Sequence, residues 1–136
     1  MSGIKGSTMT ERFLLYAAVN GFLVVVFGAF GAHGLEDMLT EAQLATWHTA
    51  VLYQMFHVVA LLASAMLCYL FPASKSFNRS AYAFQTGIVL FSGSLYLLAL
   101  TDISWFAYLT PVGGLAFLVG WGLIVYGLLR SRMKSR

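Results

Sequence analysis

Sixty per cent of the 136 residues are hydrophobic and 10% are charged, whereas charged residues alone make up about a quarter of a soluble globular domain. Together with a mean hydropathy of +0.79, this excludes a domain solvated mainly by water. The net charge of +3 does not mark a nucleic-acid-binding face, because the basic residues lie between and beyond apolar runs and not along one surface.

A helix needs about 20 predominantly apolar residues to cross the hydrocarbon core, and it satisfies its backbone hydrogen bonds internally. The first stretch to qualify is residues 13–32, with Asn20 its one strongly polar side chain. Its apolar run exceeds the roughly 7 to 15 residues of a signal-peptide core, so it reads as an uncleaved span. His33 and Gly34 follow, a pair suited to the negative end of a helix. In the connection over 33–49, Leu35, Met38, Leu39 and Ala42 recur at helical spacing among Glu36, Asp37 and Glu41. This predicts a short amphipathic helix on the membrane surface. Alternatively, Thr40 and Gln43 form a capping box, so that the second helix starts near Glu41 and places Trp47 at the headgroup level.

The second span, residues 50–71, contains Gln54, His57, Ser64 and the only cysteine, Cys68, which has no partner for an intrachain disulfide. The third, 81–100, carries Gln85, Thr86, Ser92 and Ser94, and the fourth, 112–129, has no strongly polar side chain. Pro111 suits the start of that last helix, where its missing N–H is not needed. Short connections make successive helices antiparallel neighbours. The expected fold is therefore an all-α, up-down antiparallel four-helix bundle, integral to the membrane, in one domain over residues 1–136.

Orientation is carried by the basic residues. Lys5 and Arg12 precede or open the first span, Lys75 and Arg79 lie between the second and third, and Arg130, Arg132, Lys134 and Arg136 form the tail. The other two connections contain none, and four of the five acids, Glu36, Asp37, Glu41 and Asp102, fall there. Positively charged short loops stay cytoplasmic, so both termini are expected inside. The Asn78-Arg79-Ser80 triplet is then on the wrong side for glycosylation.

Four strings, GAFGAHGL (28–35), TAVLYQMFH (49–57), LFSGSLYLLAL (90–100) and TPVGGLAFLVGW (110–121), resemble the successive signatures of one family. It is domain-of-unknown-function family 423, the YgdD-like small bacterial inner membrane proteins, related to eukaryotic transmembrane protein 256. The likeness runs from Arg12 to about Leu129. It implies a small inner-membrane protein with no assigned activity, and so no catalytic residues to carry over.

Polar groups inside a bilayer are costly and are the first candidates for function. At a rise of 1.5 Å per residue, His57 and Ser92 both lie about 10 to 14 Å from the outer ends of their helices, and Gln54 and Ser94 about 6 to 9 Å. These matched depths predict a polar layer, joined by Asn20 from the first span. Such a layer either conducts a small solute or proton or holds the helices together by interhelical hydrogen bonds, and the second is the expectation. Ser92 and Asn20 are the expected partners of His57.

Glycine and alanine supply a second candidate set. Ala17 with Gly21 and Ala116 with Gly120 are small residues four apart, which lets helix backbones approach. Gly28, Gly31, Gly93, Gly113 and Gly114 are further candidates for helix packing. The three histidines are separated by 15 and 9 residues, a poor metal spacing, so neither a metal nor another cofactor is expected. No nucleophile elbow, P-loop or pair of intramembrane carboxylates stands in the sequence. The reading is a non-enzymatic membrane protein whose partners are the lipid bilayer and either copies of itself or other membrane proteins. The alternative is a permease or channel subunit built on His57.

Overall fold

The computed structural model describes residues 8–135. They form α1 (Thr8–His33), α2 (Glu41–Leu70), α3 (Lys75–Gly87), a π-helical segment (Ile88–Ser92), α4 (Gly93–Thr101), a 3-10 turn (Ser104–Tyr108) and α5 (Leu109–Lys134). The segments α3, π and α4 run on as one span, Lys75–Thr101, and the 3-10 turn continues into α5 as another, Ser104–Lys134. With α1 and α2 these make four helices long and apolar enough to cross a membrane. The chain is an all-α bundle of up-down antiparallel spans, as expected.

Each helix is longer than its apolar stretch, because the polar residues flanking the runs also take helical conformation. Lys75 and Arg79 therefore stand in the first two turns of α3 and not in a loop, Asn78 and Ser80 lie in the same helix, and Arg130, Arg132 and Lys134 extend α5. With Arg12 at the start of α1, the six described basic residues share one end of the bundle. Lys5 and Arg136 lie outside the described residues.

The short surface helix is not formed. Gly34 and Leu35 donate their N–H groups to the Phe30 carbonyl (2.7 and 3.1 Å) and end α1, after which one turn closes on the Leu35 carbonyl. Helix α2 then starts at Glu41 through the capping box: Gln43 N–H donates to Thr40 Oγ1 (3.3 Å) and Thr40 N–H to Gln43 Oε1 (2.9 Å). Capping wins because it satisfies first-turn donors that an interfacial helix would leave to water. Trp47, in the second turn of α2, is buried against its neighbours: its indole donates to the Phe27 carbonyl at 2.9 Å and packs on Phe27, Phe30 and Tyr96.

Two apolar cores result. Leu35, Trp47, Ala50, Tyr96 and Ala99 fill the end bearing the acidic connections. A larger cluster that includes Phe13, Leu61, Phe77, Phe84 and Phe117 fills the middle and the basic end. The outward faces are also apolar, with Phe22 at 72% and Leu118 at 69% exposure, as lipid solvation requires.

Close packing rests on a subset of the small residues. A methyl group at Gly31 would stand 2.6 Å from the Trp47 indole, at Gly120 2.6 Å from the Phe84 ring, and at Gly113 2.3 Å from the Phe91 backbone nitrogen. Ala17 is fully buried, and Ala116 is half-buried. At Gly21, Gly28 and Gly114 the nearest atom would be 3.6 to 3.8 Å away, ordinary contact that alanine tolerates. Gly93 packs on nothing within 4 Å, which corrects its place in the packing set. Gly87 and Gly127, under the rings of Phe117 and Phe77, are packing glycines that helical spacing alone did not single out.

Candidate functional site

Asn20 and Gln54 lie between the two apolar cores, and the structure joins them. The Tyr96 hydroxyl donates to Gln54 Oε1 (2.7 Å), Gln54 Nε2 donates to Asn20 Oδ1 (3.4 Å), and Asn20 Nδ2 donates to Gln85 Oε1 (2.8 Å) and to the Tyr16 carbonyl (2.8 Å). The chain of bonds starts and ends in the third span and passes through α2 and α1. Gln85 and Tyr96 were not part of the expected layer. Measured from the outer ends of the expected spans, Gln54 matches Tyr96 at about 6 Å while Asn20 and Gln85 fall at about 18 and 22 Å; the structure merges the two levels because α2 starts at Glu41, which sets Gln54 about 20 Å from its helix end and level with Asn20.

The serines belong elsewhere. Ser92 Oγ donates to the Ala50 carbonyl of α2 at 2.8 Å, and Ser94 Oγ shares a 2.7 Å hydrogen bond with Thr110 Oγ1 of α5 while bonding the Phe91 carbonyl. Ser92 closes the π-helical segment, where Gly93 N–H bonds the Ile88 carbonyl five residues back. The widened turn lies against α5 at Gly113, whose missing side chain admits the Phe91 backbone.

His57 meets neither Ser92 nor Asn20, contrary to expectation. Its Nδ1 lies 2.8 Å from the Tyr53 carbonyl, and the indole N–H of Trp121 donates to its Nε2 at 3.2 Å. An acceptor role for Nε2 leaves the proton on Nδ1, where a carbonyl receives it, so both bonds fit one neutral tautomer. The ring lies flat on Phe117, with centroids 3.5 Å apart and planes 5° from parallel. His57 was placed on the wrong neighbours because depth fixes a residue's level along the bundle but not the face of the helix it occupies. Through these side chains α2 meets α5. The groove between them, about 800 Å³, is lined by Leu52, Phe56, Leu115 and Leu118 together with His57 and Trp121.

The family model described as "Protein of unknown function (DUF423)" matches residues 27–114, from the last turns of α1 to the glycine pair of α5. The chain belongs to this family. It is 42% identical over 118 residues to the UPF0382 membrane protein YwdK of Bacillus subtilis, covering 87% of this chain and 96% of that one. It is also 42% identical over 128 residues to the UPF0382 inner membrane protein YgdD of Escherichia coli, covering 93% and 97%. A UPF0382 membrane protein of Staphylococcus saprophyticus is 42% identical over 118 residues, covering 87% and 97%. No solved structure matches the chain. The chain is thus a small multi-pass membrane protein of a family whose members' names place them in a membrane and assign no activity.

Proposed function

We propose that the protein is a non-enzymatic structural or accessory component of the bacterial inner membrane, with both termini cytoplasmic and a polar layer that holds its helices together. One observation carries this reading: every buried polar side-chain atom among the described residues already has a hydrogen-bond partner inside the bundle. Tyr96, Gln54, Asn20 and Gln85 are committed to one another, and His57 to Trp121 and Tyr53. A conducting lane needs polar groups that exchange partners with the passing solute, whereas these are used by the fold. Since most of the described chain lies in the four spans, associations with copies of itself or with other membrane proteins would form largely within the bilayer.

The test combines a melting curve of the purified protein in detergent with flux in liposomes over a panel of ions and small solutes. Asn20→Leu and His57→Leu are expected to lower the melting temperature, with no flux in the parent protein. A pH-dependent flux that both substitutions abolish without loss of stability would establish the permease reading instead. Orientation is tested separately: a cytoplasmic reporter fused after Arg136 should be active, and cysteines placed at Asp37 and Asp102 should react with an impermeant reagent from outside. External labelling of a cysteine at Lys75 would reverse the orientation.

A further inference from the structure

At the basic end of the bundle, the turn between α2 and α3 and the last turns of α5 enclose a cleft of about 770 Å³. Lys75 and Arg79 line it on the α3 side, Arg130 and Lys134 on the α5 side, and no acidic residue contributes to it. None of the four cations is ion-paired with a described residue. Arg130 makes one long hydrogen bond, 3.4 Å to the Tyr126 hydroxyl.

The two sides differ electrostatically. Arg130 and Lys134 stand at the negative end of α5, where cations are favoured, but Lys75 and Arg79 stand at the positive end of α3, where they are not. That helix end is also uncapped: Ser74 has extended backbone, φ −90° and ψ 109°, and its side chain makes no capping bond. By contrast, α2 opens with a complete capping box. Ser76, in the first turn of α3, lines the cleft with 9% of the residue's surface exposed; its hydroxyl has no hydrogen-bond partner among the described residues and is not one of the enclosed polar atoms of the bundle, so it opens on the cleft. Four cations without an acidic partner, an unpartnered hydroxyl open to the cleft and uncapped backbone donors at a helix N-terminus make a site for a tetrahedral oxyanion.

The source of that anion is indicated by what borders the cleft. Leu70 and Phe71 line it, and Leu129 and Met133 line an adjoining depression beside Tyr126 and Arg130. All four are apolar and exposed, so acyl chains can lie against them while a headgroup enters. We propose that this cleft binds the phosphate of an anionic phospholipid, with Lys75, Arg79, Arg130 and Lys134 neutralising the charge and Ser76 donating a hydrogen bond.

The experiment places the purified protein in nanodiscs of phosphatidylcholine with graded phosphatidylglycerol and reads lipid retention by native mass spectrometry. Each basic residue near an anionic headgroup contributes roughly a factor of five. The double variant Lys75→Gln/Arg130→Gln, with one change on each side, is therefore expected to retain phosphatidylglycerol about 25-fold more weakly. Ser76→Ala, which leaves the charge unchanged, should weaken retention severalfold. Arg12→Gln, at the same end but outside the cleft, should leave it close to the parent value. Circular dichroism in pure phosphatidylcholine monitors folding, and if the double variant loses helicity the Ser76→Ala result decides. Equal retention by the parent and Ser76→Ala proteins, or an equal loss in Arg12→Gln, would overturn the proposal in favour of diffuse surface attraction. Inorganic phosphate displacing the lipid at equal concentration would overturn the lipid as the source.

Discussion

Replacing Gly113 with alanine tests whether the π-helical segment and α5 depend on direct backbone approach. The added methyl would lie 2.3 Å from the Phe91 nitrogen and 2.8 Å from both the Leu90 carbonyl carbon and the Phe91 Cα. Optimal separations are about 3.5 to 4.0 Å, so α5 must retreat from the third span by roughly 1 Å. The obstructing atoms are backbone and cannot rotate away. Overpacking of this kind costs about 1 to 3 kcal/mol, and the rigidity of the obstacle favours the upper part of that range. Alanine recovers about 1 kcal/mol of helix propensity over glycine, leaving a net destabilisation of about 2 kcal/mol. Gly122 in the same helix faces open space, with nothing within 4 Å of an added methyl. There only the propensity gain remains, so Gly122→Ala should raise stability by up to about 1 kcal/mol. Thermal unfolding in one detergent, followed by circular dichroism, should move the two variants in opposite directions. A Gly113→Ala protein that melts at or above the parent would refute the reasoning.

The His57–Trp121 hydrogen bond predicts non-additive losses: a double-mutant cycle with His57→Leu and Trp121→Phe should give a coupling of about 0.6 kcal/mol. Simple additivity of the two melting shifts would show that the bond contributes nothing. His57→Gln is expected to lose less than His57→Leu, because an amide oxygen can accept from the indole, although the stack on Phe117 is lost in both. Tyr96→Phe removes the only side-chain donor to Gln54 Oε1 among the described residues. It should destabilise by about 1 kcal/mol, measurable as a lower melting temperature, and no change would remove Tyr96 from the polar chain. Asp102 ends α4 in left-handed backbone, φ 56°, a conformation that disfavours side chains bearing a Cβ. Asp102→Gly should therefore raise the melting temperature slightly and Asp102→Val lower it, and the opposite order would contradict that backbone assignment.

The amino-acid sequence is enough to place the chain in a membrane, to say how many times it can cross and to show which ends of the helices share charge. Those properties are additive along the chain: lipid accepts only long apolar helical runs, and the basic residues fall in alternate connections. It also determined that Asn20 and Gln54 needed partners, because an unsatisfied polar group in hydrocarbon is costly wherever the helix turns. Tertiary structure alone decided who those partners are. Asn20 found Gln85 and not His57, and Ser92 found the Ala50 carbonyl, because rotation of each helix about its axis is set by packing on its neighbours and not by depth. The π-helical widening at Ile88–Ser92 left no mark in hydropathy, since it depends on Gly113 arriving from another helix to make room for Phe91. The role of each small residue was likewise decided by what stands across from it: Gly31 lies under an indole and Gly113 against backbone, whereas Gly93 and Gly122 face open space.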